Sequence, residues 1–251
     1  MKIESKFTKA TLHALFPTLI YQDQLDQHSE FHQAFTSLDD EHFFSPSTAG
    51  GKRHHAGEYH GRILLHKEPS LRPFFECLAL HVGRYLRELG MRTDVFEMQC
   101  LKSWLVLCDP EDEDEPEAMI AHNHSCSDIS WVYYVDVPED CPAIQFHAGR
   151  KLGNQLFESG FHFDWNDSTK SAVKTFNCWN SETWSIHPKQ GDLLLFPGHQ
   201  LHSVEANYSK RRRTSVAGDI ALTLRKQQKD LEYGRTSPEH WLTLSLGDNE
   251  H

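Results

Sequence analysis

The sequence predicts a mainly β (α+β) fold, a double-stranded β-helix or jelly roll with supporting helices near the N-terminus. Two observations lead to this prediction. After residue 95, short apolar runs with strand-like alternation are separated by turn residues. Before residue 95, the longest segment with helical spacing lies between residues 70 and 90. We expect a single domain with three parts: an N-terminal strand and supporting helices (1–94), a jelly-roll core (95–225) and a C-terminal extension (226–251).

The N-terminal third is expected to contain a strand, two helices and a loop. Residues 15–21 are apolar and β-favouring, which predicts a strand, and the polar stretch 23–38 predicts a helix. Residues 45–61 are rich in glycine, serine and histidine and predict a loop. In the longer helix, Ser70 can cap the start and Gly90 suits the position after the end.

From residue 95 to residue 225 the chain is expected to form short strands connected by turns and loops. Turn residues separate the candidates, among them the segment 138–140 and the segment 189–192. About eight short strands after a helical start are typical of a double-sheet jelly roll. The predicted strands are 97–108, 119–124, 129–137, 143–147, 183–187, 192–197, 201–206 and 212–224.

Composition limits the classes of function. Hydrophobic residues make up 38% and charged residues 24% of the chain, as in globular proteins. The net charge of −11 argues against a broad nucleic-acid surface. No apolar run is long enough to span a membrane, and the first residues lack the apolar core of a secretion signal. The six cysteines contain no CxxC pair and are expected to be reduced thiols, so we expect a cytoplasmic protein.

Two histidines in the predicted strand 119–124 suggest a metal site. His122 and His124 are two residues apart in Ala-His-Asn-His. Residues i and i+2 of a strand point to the same face, so these two imidazoles can bind one ion. A histidine pair on a strand is also common as a structural or exposed feature, so further ligands are needed.

A third histidine follows the predicted strand 192–197. The chain continues as Phe-Pro-Gly-His-Gln-Leu-His-Ser-Val, which indicates a turn and then a short strand. His199 lies in the turn, whereas His202 is followed by the strand-like Ser-Val and is better placed to point inward. We predict His202 as the third ligand.

The strand predicted at 212–224 has a polar face. Alternation places Arg213, Ser215, Ala217 and Asp219 on one side. Such a face does not suit a dry core but suits the wall of a polar pocket. A guanidinium with a nearby hydroxyl is well suited to bind a carboxylate. We predict this role for Arg213 and Ser215.

Two clusters compete with this interpretation. His54, His55 and His60 are close in sequence, but they lie in the glycine-rich segment 45–61 without a predicted strand to support them. The basic run 210–213 can also be explained as a solvated hairpin. The combination of the three elements in this order and at this spacing favours a shared metal and carboxylate site.

The resemblance to a known family is carried by two segments, HNHSCSDISWVYYVDVP and GDLLLFPGHQLHSVEANYSKRRRTSVAGDI. They resemble the 2-oxoglutarate/Fe(II)-dependent oxygenase superfamily. Within it they are closest to a subfamily with an H-x-H-x-x-S-x-x-S-G-x-Y-Y segment and a G-D-L-x-x-F-P-x-x-x-x-H segment. The N-terminal LFPTLIY also resembles that subfamily, so the likeness covers most of the chain but is specific only in residues 120–220.

This resemblance implies a double-stranded β-helix, Fe(II), 2-oxoglutarate as co-substrate and dioxygen. By position, His122 and His202 match metal ligands, and Arg213 with Ser215 matches the clamp for the distal carboxylate of 2-oxoglutarate. The implied reaction couples decarboxylation of 2-oxoglutarate to succinate with oxidation of a substrate C–H bond, with hydroxylation as the default outcome.

Two residues depart from the family pattern. Trp131 stands where the subfamily tends to have glycine, and His124 stands where the superfamily has Asp or Glu. Two histidines and a carboxylate form the usual non-haem iron triad, and an imidazole in place of the carboxylate removes one negative charge. Asp128 is near, but it lies beyond the turn expected at 125–127. We therefore predict a three-histidine site made by His122, His124 and His202.

The departure at His124 leaves two alternatives open. One is a three-histidine, cupin-type dioxygenase that does not use 2-oxoglutarate, in which Arg213 would bind the carboxylate of the substrate. The other is a non-catalytic metal-binding jelly roll. We expect a small-molecule or peptidyl substrate, bound by loops at 45–61, 109–118 and 150–182, and no nucleic-acid or membrane partner; the oligomeric state stays open.

Overall fold

The elements of the fold are seen in a computed structural model that describes residues 17–38, 53–56, 64–110, 118–148, 177, 181–227 and 234–243. Within these ranges the chain forms ten strands and two α-helices. The helices are α1 (His28–Thr36) and α2 (Arg72–Glu88). The strands are β1 (Tyr21–Gln24), β2 (Arg53–Ala56), β3 (Phe96–Cys108), β4 (Met119–His122), β5 (Ile129–Asp136), β6 (Ile144–His147), β7 (Thr183–Ile186), β8 (Asp192–Pro197), β9 (His202–Val204) and β10 (Arg213–Leu224).

The strands form two antiparallel sheets. The major sheet has the order β1-β8-β5-β10-β3-β2, and the minor sheet has the order β4-β9-β6-β7. Neighbours in both sheets are often distant in sequence, as in the pairing of β10 with β3 and with β5. This arrangement is the mainly β jelly roll predicted from the sequence. None of the described helices is long and apolar enough to cross a bilayer.

The outer face of the major sheet packs on the helices. On β5, Trp131 and Tyr133 point outward and are fully buried. Phe31 of α1 and Phe74 of α2 meet with ring centroids 5.4 Å apart, and Phe74 lies 4.9 Å from the ring of Tyr133. Burial of several large aromatic side chains in one cluster stabilises the sheet and the two helices as a unit.

The inner face of the major sheet looks toward the minor sheet. Because side chains alternate along a strand, Tyr134 points away from the helices and joins Phe196, Phe146 and Ile144 in a second buried cluster between the sheets. This cluster is smaller than the first and leaves a polar cavity beside it. The strand alternation therefore divides the fold into an apolar outer core and an inner space that can hold a ligand.

The N-terminal elements differ from the sequence prediction in their bounds. The first strand begins at Tyr21, where the predicted strand 15–21 ends, because Tyr21 to Gln24 pair with β8 at the edge of the major sheet. Residues 17–20 have no regular structure, and residues 15 and 16 lie outside the described ranges. The predicted helix 23–38 is shortened to α1.

Three local predictions for the N-terminal third had different outcomes. The proposed cap by Ser70 is wrong, because the 3₁₀ turn Pro69–Leu71 leads into α2 and no side chain caps the helix. Gly90 has a φ of 76° after the end of α2, as its position predicted. The predicted loop 45–61 contains strand β2, which pairs with β3 at an edge of the major sheet.

Trp131 has room because a glycine lies opposite it. Trp131 pairs directly with Gly218 of β10. A Cβ atom on Gly218 would lie 2.5 Å from Cζ2 of Trp131 and 2.7 Å from the carbonyl oxygen of Lys102. The subfamily that this chain resembles tends to have glycine at the position of Trp131. Here the glycine is on the neighbouring strand instead, where Gly218 leaves space for the indole ring.

We expect Gly218→Ala to lower the free energy of unfolding by about 1–3 kcal/mol, because the added methyl overpacks a rigid core. Gly83→Ala is the matched control. The added Cβ at Gly83 would come no closer than 3.5 Å to another residue, and alanine favours a helix over glycine by up to about 1 kcal/mol. Urea unfolding followed by circular dichroism measures both, and equal stability of the two variants would contradict the prediction.

Candidate metal centre

Two of the three predicted histidines face each other across the minor sheet. His122 at the end of β4 is the direct cross-strand partner of His202 at the start of β9. Their ring centroids are 4.3 Å apart. Directly opposed residues of an antiparallel pair have side chains on the same face, so the pairing of β4 with β9 brings both imidazoles to the inner space.

His124 joins them by a different route from the one predicted. Strand β4 ends at His122, so the predicted strand 119–124 is too long and alternation does not place His124. Instead, the backbone N–H of His124 donates to the carbonyl oxygen of Gly198, 2.8 Å away. The ring centroid of His124 lies 5.4 Å from that of His122 and 5.2 Å from that of His202.

The three imidazoles have the chemistry of a metal site. One nitrogen from each ring lies within 4.8 Å of the others, which is close enough for one ion to contact all three after a small inward movement of the rings. No other group of three or more metal-ligating side chains occurs among the described residues.

Hydrogen bonds orient each of these rings. Nδ1 of His122 lies 2.9 Å from the carbonyl oxygen of Ile120, and Nδ1 of His202 lies 2.9 Å from that of Gln200. Nδ1 of His124 lies 2.6 Å from Oδ1 of Asp219. Carbonyl and carboxylate oxygens only accept hydrogen bonds, so each Nδ1 carries the proton. The lone pair of each neutral ring is then on Nε2, the atom suited to bind a metal.

The burial of His202 favours its neutral form. Its side chain is 5% exposed, and loss of solvent lowers its pKa to about 4. A buried imidazolium would lack hydration, and the neighbouring rings of His122 and His124 oppose a further positive charge. Neutral imidazole is the form that coordinates metals.

Asp219 lies next to the histidine cluster and is almost completely buried. Its Oδ1 also accepts a hydrogen bond from the hydroxyl of Ser130 at 2.7 Å, and its Oδ2 lies 3.0 Å from Nζ of Lys102. Burial raises the pKa of the Asp219 carboxyl, but the interactions with His124, Ser130 and Lys102 outweigh this effect and hold the pKa below its ordinary value. The carboxylate is therefore ionised inside the protein.

Arg213 and Ser215 lie on the inner face of β10, on the same side as Asp219. Arg213 is 3% exposed, yet its Nε and Nη1 have no hydrogen-bond partner among the residues that the structure describes. Its Cζ lies 6.0 Å from the ring centre of Tyr134. The Ser215 hydroxyl makes only a long hydrogen bond, 3.5 Å, to the carbonyl oxygen of Val106. A buried guanidinium with unpaired N–H groups is costly unless an anion binds to it.

A single cavity of about 300 Å³ connects the histidines with Arg213. Its walls come from both sheets, with apolar side chains of the inner core between the two polar ends. The lining includes Trp104, Val106, Val132, Tyr134, Ile144, Phe196 and Val204. The cavity thus has a cluster of imidazoles at one end, an apolar middle and a buried guanidinium at the other end.

Of the competing residues, His199 and Asp128 lie away from the histidine cluster. His199 is exposed in the turn after β8. The carboxylate of Asp128 accepts hydrogen bonds from the backbone N–H of Leu222 and from Arg235, so it is engaged away from the histidines. His54 and His55 are on β2 and not in a loop, and His60 lies outside the described residues.

The rest of the basic run is at the surface. Arg211 pairs with Asp136 at 3.0 Å and Arg212 pairs with Asp109, and both arginines are largely exposed. Of the consecutive arginines, Arg213 alone points into the cavity, because it begins strand β10 with its side chain on the inner face.

The sequence analysis missed three contributors to the site. It placed Asp219 on the polar face of β10 but assigned it no partner, and it did not consider Lys102 or Ser130. The alternation of β10 was the available signal for Asp219. The other two could not be found without the register, which pairs Asp219 with Lys102 on one side and with Ser130 on the other.

A protein-family model described as "Putative 2OG-Fe(II) oxygenase" matches residues 102–219. No curated protein matches the sequence. The described fold is similar to that of the crystal structure of the non-heme alpha ketoglutarate dependent carbocyclase SnoK from nogalamycin biosynthesis. That match has a TM-score of 0.51 and 14% identity and covers 88% of this chain and 89% of the other.

A second similar structure is the epimerase SnoN in complex with Fe3+, alpha ketoglutarate and nogalamycin RO. The TM-score is 0.50 at 15% identity, and the match covers 92% of each chain. Other matches span less of the known chain. One match covers 47% of another SnoN structure. Another covers 58% of an oxidoreductase of the 2OG-Fe(II) oxygenase family from Burkholderia pseudomallei and 61% of this chain. Its TM-score is 0.40 at 12% identity. At these identities the likeness concerns the fold.

We expect the chain to bind one divalent ion through the histidine cluster. His202→Ala should weaken Co(II) or anaerobic Fe(II) binding by more than the roughly 10–100-fold that follows loss of a supporting hydrogen bond, because a ligand itself is removed. His199→Ala is the control and should bind as the wild type does, since its side chain is exposed. Calorimetric titration measures both, and full metal occupancy in His202→Ala would exclude the site.

Proposed function

We propose, from the match of residues 102–219 to the family model "Putative 2OG-Fe(II) oxygenase", that the chain is an active 2-oxoglutarate/Fe(II)-dependent oxygenase that oxidises a C–H bond of a small-molecule or peptidyl substrate. The observation that carries the proposal is the presence, in one cavity, of a three-histidine cluster and a buried arginine whose Nε and Nη1 lack a hydrogen-bond partner among the described residues.

The metal end of the cavity is assigned to iron. His122, His124 and His202 would hold Fe(II) through Nε2, since each Nδ1 is engaged as a donor. Three imidazoles from one side leave coordination positions open for further ligands. When bound, iron together with 2-oxoglutarate and dioxygen supplies the oxidising chemistry, and the protein supplies binding and orientation.

The cationic end of the cavity is assigned to the distal carboxylate of 2-oxoglutarate. Nε and Nη1 of Arg213 lack a hydrogen-bond partner among the described residues, and the hydroxyl of Ser215 makes a long hydrogen bond of 3.5 Å. A buried guanidinium gains most from an anion that accepts charge-assisted hydrogen bonds. The carboxylate would restore the partners that Arg213 lacks and would set the opposite end of the co-substrate toward the histidines.

The apolar middle of the cavity excludes water from the reacting end. The ring centroid of Phe196 lies 4.8 Å from that of His202, and that of Trp104 lies 5.8 Å from that of His124. A volume of about 300 Å³ is at the small end for a ligand pocket, so the co-substrate would occupy much of it. The substrate is therefore expected at the mouth of the cavity. The loops predicted to bind it, 45–61, 109–118 and 150–182, lie mostly outside the described residues.

The proposed outcome of the oxidation is hydroxylation. The two neighbours of similar fold are named a carbocyclase and an epimerase, which shows that the fold alone does not select the product. Mass spectrometry of a turned-over substrate distinguishes a gain of one oxygen atom from ring closure, which removes two hydrogens, and from epimerisation, which leaves the mass unchanged.

The proposal predicts that Fe(II)-loaded protein releases succinate and consumes oxygen when 2-oxoglutarate is added, even without a substrate, at a slow uncoupled rate. Omission of iron or of 2-oxoglutarate should abolish succinate release. Oxidation of an added substrate without 2-oxoglutarate would favour a three-histidine dioxygenase instead. Metal binding without any turnover would favour a non-catalytic jelly roll.

A second prediction concerns the carboxylate clamp. Arg213→Ala should weaken 2-oxoglutarate binding by about 2–5 kcal/mol, because a desolvated charge pair is lost. Arg211→Ala is the control, since Arg211 is exposed and paired with Asp136, and it should change binding by about 0–1 kcal/mol. Anaerobic titration of the metal-loaded variants measures both, and equal effects would show that Arg213 does not bind the co-substrate.

A further inference from the structure

The three imidazoles do not donate to equivalent acceptors. His122 and His202 each donate from Nδ1 to the backbone carbonyl two residues earlier, which is a neutral acceptor. His124 donates to the carboxylate of Asp219, at the shorter distance of 2.6 Å. His124 is also the residue at the position where a two-histidine-one-carboxylate iron site would have its carboxylate. The histidine that replaces a carboxylate ligand, His124, is therefore the one whose Nδ1 donates to a carboxylate, that of Asp219.

The register of the major sheet holds Asp219 in this place. Asp219 lies opposite Lys102 of β3 and opposite Ser130 of β5, so its carboxylate has a cation on one side and a hydroxyl donor on the other. The pairing of β10 with β3 shifts by one residue directly after Asp219. Such irregularities often serve to aim a side chain at a functional site.

Packing alone does not require a carboxylate at position 219. The side chain is 1% exposed, and burial of a charge costs several kcal/mol unless partners compensate for it. Two residues earlier on the same face of β10, Ala217 fills the corresponding place without any polar group. The presence of a carboxylate here is therefore best explained by its hydrogen bond to Nδ1 of His124, 2.6 Å away.

We infer that Asp219 is a positioning residue that supplies, through His124, the negative charge that a ligand carboxylate supplies in two-histidine iron sites. The inference rests on the proposed function, because it requires His124 to bind the metal. The hydrogen bond from Nδ1 holds Nε2 toward the other two rings and makes the imidazole a stronger donor to a metal.

The test uses Co(II) as a spectroscopic probe with the full-length chain. Asp219→Asn keeps the size of the side chain but removes its charge, and it should weaken Co(II) binding by about 10–100-fold. At saturating Co(II), its visible d–d bands should also differ from those of the wild type, because His124 becomes a weaker donor. Calorimetry measures the affinity, and absorption spectroscopy measures the bands.

Asp128→Asn is the matched control. The carboxylate of Asp128 is also hydrogen-bonded within the fold, to Leu222 and Arg235, but to no histidine. This variant should leave both the affinity and the bands unchanged. If Asp219→Asn bound Co(II) with wild-type affinity and an unchanged spectrum, the inference would be overturned, whatever its effect on thermal stability.

A second background separates the transfer of charge from a purely structural role. His124→Asp places a carboxylate at the ligand position, so Asp219 should become dispensable, and the double variant with Asp219→Asn should bind Co(II) no more weakly than His124→Asp alone. An equal loss from Asp219→Asn in both backgrounds, or no Co(II) binding by His124→Asp, would contradict the inference.

The outcomes distinguish this inference from the proposed function. Failure of the wild type to bind Co(II) would overturn the metal site itself, whereas wild-type binding with an unaffected Asp219→Asn would overturn the role of Asp219 alone. If Asp219→Asn did not fold, Ser130→Ala would test the same network, since it removes one hydrogen bond to Oδ1. It should shift the Co(II) bands to a smaller extent, and unchanged bands would count against the inference.

Discussion

Pairing of strand β10 on both sides is the constraint on which the site depends. Hydrogen bonds to β3 and to β5 leave β10 no freedom to slip, since a shift by one residue would turn Arg213, Ser215 and Asp219 out of the cavity. The same shift would bring apolar side chains such as Val216 into the polar space. Burial of the apolar outer face and the polar contacts of the inner face therefore both favour the observed register of β10.

The electrostatics of the cavity follow from this register. A buried guanidinium and a buried carboxylate lie on one strand, and His124 of the histidine cluster contacts the carboxylate. Oδ1 of Asp219 accepts hydrogen bonds from His124 and Ser130, and its Oδ2 lies 3.0 Å from Nζ of Lys102, although Oδ2, like Nε and Nη1 of Arg213, has no hydrogen-bond partner among the described residues. Since a buried charge without a partner is unfavourable, Arg213 is the group that a bound anion would stabilise.

The support for the site comes from the opposite face of the same strands. Trp131 and Tyr133 alternate with Val132 and Tyr134 along β5, so aromatic packing on the helices anchors Val132 and Tyr134, which line the cavity. The match between Trp131 and Gly218 shows how tightly this face is packed. A rigid outer core limits the movement of the inner side chains, which is what a precisely spaced ligand set requires.

Most of the fold could be predicted from the sequence because its signals are local. Alternation and turn residues predicted both ends of all eight core strands within two residues, and the predicted bounds of β8 agree with the structure. The N-terminal strand was displaced because its polar residues form an edge strand through backbone pairing with β8, which no side-chain pattern reveals. The Ser70 cap failed because a 3₁₀ turn already leads into α2.

For the site, the sequence by itself determined the residue types and their strands: the histidines of the HNH segment, His202 after the Pro-Gly turn, and the polar alternation that begins at Arg213. Only the tertiary structure decided how they meet. His124 is placed by a backbone hydrogen bond to Gly198 and by a carboxylate 95 residues away, and Arg213 is distinguished from its neighbours by its burial. Local patterns report which face a side chain occupies, whereas the partner across the cavity depends on strand register and sheet packing, which join residues far apart in the chain.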